Sequence, residues 1–361
     1  MAAITAKENY LRLGRGEIPE WVPGMMPYKD HGPSTAMAGP LTMWVGQSDL
    51  KPMWMQPREP WKDFWGANYI IGPEDTGFAG IPDPNNPILR DITKWRTVIK
   101  KPEAPNLDWA AMAQSELSNI NRDEVALSCA LGMQPFEQLV ALTGFNDALC
   151  YLYEEPDEVK ELLNFMADWY VPIVRNIVQH YKPDLVAIAD DSAAKQAPFF
   201  SPAMYREFFK PIYEKISKPA VDTGAFIDFH NCGRCEDFVG DMIDFGVRYW
   251  NPAQIENDLD ALKKKFGNKI AICGGWDAPN LTTSSTEEEA RQAVRSHIDR
   301  YGKGGGYVFF GGLFGNSCAM NAEIPPDIQR INQWISDECY EYGSVFYQNP
   351  ANRVSTIEEQ G

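Results

Sequence analysis

No stretch of this 361-residue chain approaches the run of about 18 consecutive apolar residues that crosses a bilayer, so no segment is expected to span a membrane. The first ten residues, Met1 to Tyr10, lack the long apolar core of a signal peptide and read as the opening turns of a helix. Positive charge is in deficit. Lys and Arg number 33 against 50 Asp and Glu, and the net charge of −17 opposes nucleic acid and anionic membrane surfaces. No G-x-G-x-x-G opens a helix after a strand, so the dinucleotide fingerprint is missing. Gly304–Gly306 and the Gly311-Gly312-Leu313-Phe314-Gly315 segment lack the Lys-Ser or Lys-Thr pair of a P-loop, and read as tight loops that let backbone approach a site. These absences leave a cytoplasmic protein whose partners are small molecules or other proteins.

What is present is ordinary for a soluble enzyme: 44% hydrophobic and 23% charged residues, enough chain for one large domain or two modest ones. The seven cysteines are odd in number and widely scattered, the pattern of a reducing compartment. Cys129, Cys150 and Cys339 have apolar or helical neighbours and read as core. Histidine is scarce, with His31, His180, His230 and His297. His180 and His297 fall late in helical runs and read as surface or helix-end residues, and His31 as a solvated loop histidine.

The chain changes character along its length. Residues 1–120 are irregular, and eight of the eleven tryptophans precede residue 170. Trp44, Trp54, Trp61 and Trp65 crowd together with Met43, Met53 and Met55, either as packing or as the roof of an aromatic-binding pocket. From about residue 125, apolar runs alternate with amphipathic helices. Candidate strands are 124–130, 184–189, 225–229, 247–250, 269–273 and 307–311, with helices over 156–181, 201–217, 257–266 and 285–301 between them. Polar residues follow several strands: Asp190-Asp191, His230-Asn231-Cys232, Asn251, Trp276-Asp277 and Asn316-Ser317-Cys318. Catalytic groups gathered from many strand ends favour a closed barrel over an open sheet. The expected architecture is one (β/α)8 TIM barrel over 121–348. An aromatic-rich extension, 1–120, belongs to the same domain and covers the C-terminal mouth, and 349–361 is a loose polar tail.

His230 and Cys232 close the apolar run Ala225–Phe229, and a distant Cys318 offers a third donor. Two thiolates and a neutral imidazole cancel the charge of Zn2+ and leave a fourth position open, the form of a catalytic zinc site. The same residues also read as a buried histidine beside unrelated core cysteines. Cys235 forms a Cys-x-x-Cys with Cys232, either as a redox pair or as the third ligand in place of Cys318. Asp190 and Asp191 read as proton-handling or hydrogen-bonding groups for substrate, or as structural caps.

Those residues resemble the uroporphyrinogen decarboxylase superfamily, and within it the zinc-dependent corrinoid methyltransferases. The resemblance runs through Lys7 to Arg12, Asp63 to Gly66, Asp91 to Trp95, Asp190-Asp191 with Phe200 to Phe208, His230 to Gly233, Gly275-Trp276-Asp277, and Asn316-Ser317-Cys318 leading to Pro326. It implies a TIM barrel holding zinc on His230, Cys232 and Cys318. Glu323, which follows Cys318 closely, is a candidate fourth ligand that would have to leave when substrate binds. It implies a corrinoid on a partner protein, and the chain has no Asp-x-His-x-x-Gly of its own to ligate cobalt. Glu17 to Pro27 lacks the arginines by which the decarboxylases recognise a tetrapyrrole, and those enzymes lack the His-x-Cys. The opening residues and the tryptophan-rich insert look like the O-demethylases of methoxylated aromatics such as vanillate, veratrol or guaiacol. On that reading Trp54, Trp65, Trp276 and Asp277 bind substrate, while Asp190, Asp191 and Asn231 act on it or anchor its ring substituent. The alternatives are a second-step enzyme that methylates a thiol such as coenzyme M, or tetrahydrofolate, and a non-enzymatic zinc-stabilised binding module.

Overall fold

The structure, a computed structural model, describes residues 4–24, 34–38, 60–70, 81–103, 107–131, 134–278, 280–313 and 324–354. Its centre is a parallel sheet of seven strands. These are β1 (Thr35–Met37), β5 (Ala126–Leu131), β6 (Leu185–Ala189), β7 (Phe226–His230), β8 (Val247–Ala253), β9 (Ala271–Gly274) and β10 (Tyr307–Val308), paired in that order. The short β2 (Trp61–Lys62), β3 (Asn68–Ile70) and β4 (Ile81–Pro82) form a separate antiparallel sheet.

Between the main strands run helices, as the alternating pattern requires. The strand Leu185-Val-Ala-Ile-Ala189 is apolar throughout because helices and barrel interior leave neither face to water. The long helix Pro156–Tyr181 opens with Pro156 and the carboxylates Asp157 and Glu158, and ends at Lys182 in a left-handed conformation. Its buried stripe of Leu162, Met166, Tyr170, Ile173 and Ile177 recurs at helical spacing. Helix Glu287–Tyr301 begins with a capping box between Thr286 and Glu289. The helix expected from Ser201 runs without a break from Pro202 to Val221 and carries a wide π-turn at Tyr205–Phe209.

The sheet curls. Ala126, Leu185, Tyr249, Ala271, Cys273 and Val308, drawn from β5, β6, β8, β9 and β10, share one buried cluster with Tyr10 and Leu13. A flat sheet would hold its two sides too far apart for that. Past β10 the sheet continues in a parallel bridge between Gly24 and Phe309, whose N–H donates to Pro23 O at 2.8 Å. The result is a half-barrel consistent with a TIM-like barrel.

The first helix, Ala6–Gly14, closes the end of the curl where the strands begin. Tyr10 stacks on Tyr249 at 4.7 Å, and the Tyr249 hydroxyl donates to Tyr10 O at 2.8 Å. This part of the N-terminal region therefore lies at the end opposite the expected mouth. The segment holding Trp44 and Trp54 lies outside the described residues. Val22, Trp65, Leu89 and Trp95 share the large core with the barrel helices. The tail expected from Asn349 is ordered at its start: Pro350–Arg353 forms a short helical turn capped by Asn349, and Gly304 N–H donates to Asn352 O at 2.9 Å. Among the described residues no helix is long and apolar enough to cross a membrane.

Candidate metal centre

Register brings the candidate site together. Ala189 pairs with His230 and His230 with Asn251, so the ends of β6, β7 and β8 stand side by side. His230 Nε2, Cys232 Sγ and a carboxylate oxygen of Asp191 lie within 4.8 Å of one another. Cys232 Sγ is 3.4 Å from His230 Nε2, and Asp191 Oδ1 is 4.0 Å from the same nitrogen. The His230 and Asp191 side chains are 40% and 38% exposed, so the donors face open space rather than core.

The loop carrying Cys232 is fixed by its neighbours. The Cys232 N–H donates to Asp191 Oδ1 at 2.8 Å, and the Gly233 N–H to Gln254 Oε1 at 2.7 Å. Gly233 has φ +83°, and a Cβ there would stand 2.3 Å from Ala193 O. Only glycine lets the two strand-end loops approach so closely.

His230 is held from its other nitrogen. Nδ1 lies 3.0 Å from Asn251 Oδ1, and Asn251 Nδ2 donates to Asp228 Oδ1 at 2.5 Å. Desolvation raises the Asp228 carboxyl to about 7. Burial, then Asp191 and Glu137, push the Cys232 thiol up to about 12. Glu137, at the start of helix Pro135–Thr143, is itself held well above the usual carboxylate range by burial and by Asp190 and Asp191. Several groups that carry negative charge when ionised thus crowd one place, an arrangement that a cation relieves.

Other expected site residues have structural roles here. Asp190 is buried and accepts from Phe136 N–H at 2.8 Å, Glu137 N–H at 3.0 Å and Tyr213 Oη at 2.6 Å. It caps the start of helix Pro135–Thr143, the structural reading that the sequence left open beside a catalytic one. Asn231 is buried, and its side chain is joined to Ser192 through both ends of its amide. That locks the β6 and β7 loops together. Trp65 packs against Trp169 and Tyr170 of the long helix, as core and not as a pocket wall. Cys235 is buried with its thiol toward Asn231 O at 3.7 Å, and among the described residues it is not part of the donor cluster.

Trp276 and Asp277 follow β9. Trp276 is half-buried, 4.7 Å from the His297 ring and 5.4 Å from Phe309. His297 is no free surface residue: Nε2 accepts the Asp277 N–H at 2.9 Å, and Nδ1 bonds Ala293 O. Asp277 is exposed, and so is Cys150, which corrects its placement in the core. Cys318, Glu323, Trp54 and His31 lie outside the described residues.

Three neighbours of the donors were missed in the sequence: Asp228, Asn251 as a partner of His230, and Glu137. Asp228 carried a signal, since it shares a strand face with His230 two residues on and interrupts an apolar run. Glu137 carried none, because only the fold brings its helix to the end of β6.

Comparison with known proteins agrees with this fold. A family model described as uroporphyrinogen decarboxylase (URO-D) matches residues 73–327. Among solved structures, a methyltransferase from Methanosarcina mazei superposes with a TM-score of 0.57 at 14% identity, over 94% of this chain and 99% of the other. No curated protein matches the sequence.

Proposed function

The chain belongs to the uroporphyrinogen decarboxylase family, and we propose that within it this protein is a zinc-dependent methyltransferase. In this reading it demethylates a methoxylated aromatic and passes the methyl group to the cobalt(I) of a corrinoid carried by a partner protein. The carrying observation is the cluster of His230 Nε2, Cys232 Sγ and the Asp191 carboxylate at neighbouring strand ends.

The donor set fits the ion. Two ligands of one tetrahedral zinc, bonded at about 2.0 Å to nitrogen and about 2.3 Å to sulfur, stand about 3.5 Å apart. Here the nitrogen and sulfur are 3.4 Å apart. Cys318 is the third ligand that the resemblance supplies. Asp191 Oδ1, 4.0 Å from the same nitrogen, is a candidate for the exchangeable fourth ligand, the role first given to Glu323.

Bound zinc supplies Lewis acidity to the ether oxygen that must leave as a phenolate. The chain's own residues prepare that event. His230 presents Nε2, Cys232 would bind as the thiolate once zinc displaced its proton, and Asp191 fixes the Cys232 backbone through its N–H. For the ring we keep Trp276, half-buried after β9, as the candidate wall, and the exposed Asp277 beside it as the candidate partner of a ring hydroxyl. A partner's cobalt(I) would supply the electron pair that takes the methyl group while the C–O bonding pair stayed on oxygen, and the phenolate would then take up a proton. Decarboxylation is disfavoured, because Glu17 to Pro27 holds no arginine for a tetrapyrrole carboxylate.

The test mixes the purified chain, a reduced corrinoid protein and a panel of methoxylated aromatics, following the cobalt(I) to methylcobalt(III) spectral change. Methylation of cobalt by an aryl ether is expected. Failure with every ether, alongside methyl transfer from methylcobalamin to a thiol, overturns the reading and places the protein at the second step.

A further inference from the structure

We propose that Asp228 is a positioning residue for the ligand histidine. Acting through Asn251, it sets the tautomer in which His230 can bind a metal. The proposal rests on the zinc reading above and extends it to two residues that the ligand set does not include.

Asn251 lies between Asp228 and His230, and the two ends of its side-chain amide differ, one only donating and the other only accepting. Its nitrogen faces Asp228 Oδ1 at 2.5 Å, so its oxygen faces His230 Nδ1, 3.0 Å away. An amide oxygen has no hydrogen to give. The hydrogen in that contact therefore sits on Nδ1, and the lone pair of the neutral ring falls on Nε2. That nitrogen is the one 3.4 Å from Cys232 Sγ. In the other tautomer Nε2 carries a hydrogen and cannot bind a metal.

Asp228 selects between the two by holding the nitrogen end of the amide toward itself. It sits two residues before His230 on β7, and its strand register places it beside Tyr249, within reach of Asn251 two residues further along β8. The backbone of Asn251 is tied down as well, because its carbonyl accepts the Asn231 N–H at 3.0 Å. The amide can then change only by flipping, and a flip costs the bond to Asp228. A partner that orients a metal-binding histidine is worth roughly 10- to 100-fold in metal affinity.

The test uses the full chain and two readouts. In metal-free protein labelled with 15N-histidine, with the His230 resonances identified by their loss in His230→Gln, His230 is expected as the tautomer protonated on Nδ1. In Asp228→Asn, whose new amide pairs with either end of Asn251, a mixture of tautomers is expected. Zinc affinity, measured by competition with a chelating dye, should fall roughly 10- to 100-fold while the melting temperature stays near that of the unmutated chain. Should Asp228→Asn not fold, Asn251→Ala removes the acceptor directly and should move both readouts the same way. Zinc held equally tightly by variant and unmutated chain, with His230 in one tautomer in both, overturns this proposal alone. An unmutated chain that binds no zinc overturns the reading of the site, and the proposal with it.

Discussion

The Cys232 backbone N–H donates to Asp191 Oδ1 at 2.8 Å, joining the residue after β6 to the ligand loop after β7. One bond therefore sets the spacing of a thiol and a carboxylate that neither strand sets alone. Replacing Cys232 with serine should lower bound zinc below roughly a tenth of its normal stoichiometry, since a hydroxyl is a far poorer zinc ligand than a thiolate. Asp191→Ala should retain zinc but bind it more weakly, and Cys235→Ser should bind it normally because that thiol faces Asn231 O. Elemental analysis of the three purified variants checks this. Full zinc in Cys232→Ser would remove the site from these residues.

Asp190 separates a structural carboxylate from a catalytic one. Asp190→Ala leaves two backbone N–H groups and the Tyr213 hydroxyl without their acceptor. A loss of about 3 kcal/mol in unfolding free energy is expected, with zinc stoichiometry intact. Urea unfolding beside elemental analysis decides it. Unchanged stability with abolished turnover would instead make Asp190 catalytic.

Gly233→Ala tests the close approach of the two strand-end loops. The new methyl would meet Ala193 O at 2.3 Å and Ala194 O at 2.8 Å, on a backbone with φ +83°. Left-handed strain and the forced displacement together should cost about 3 kcal/mol and loosen the metal site. Lower melting temperature and lower zinc affinity should appear together, and a melting curve like that of the unmutated protein would contradict the geometry.

The strand–helix alternation after residue 125 was legible because parallel strands buried on both faces must be apolar, as Leu185–Ala189 is. The His230 and Cys232 pair was legible for a related reason: polar residues at the end of such a run have no place in its core. The role of Asp190 was not. A carboxylate after a strand reads the same whether it faces a ligand or a helix end, and only the packing of helix Pro135–Thr143 decides between them. Trp65 shows the same limit. Its place among aromatics looked like a pocket wall, but the long helix brings Trp169 and Tyr170 against it. The direction in which the first helix folds was also invisible, because the tyrosine pair Tyr10 and Tyr249 is 239 residues apart in sequence.

A pH dependence should come from Lys263, far from the ligand cluster. Its side chain is buried in helix Leu259–Phe266, with Nζ donating to Gly305 O, and desolvation lowers its pKa from 10.5 to about 8. Between those two values the unfolded chain holds a proton that the folded chain has released. Protons therefore favour unfolding in that window, and stability should rise as pH climbs through it. Below the folded value both states are protonated and the penalty is constant; above the unfolded value both are neutral and it is gone. The whole effect is at most about 3.5 kcal/mol, because each tenfold change in proton affinity is worth roughly 1.4 kcal/mol. Lys263→Met keeps a stem of similar reach without the charge. Other groups titrate in alkali, so the informative quantity is the difference between the two chains. Urea unfolding at several pH values across the window should show the unmutated protein gaining stability relative to Lys263→Met as pH rises. Parallel profiles would mean that Lys263 keeps its charge in the folded state, held by the Gly305 carbonyl against the cost of burial.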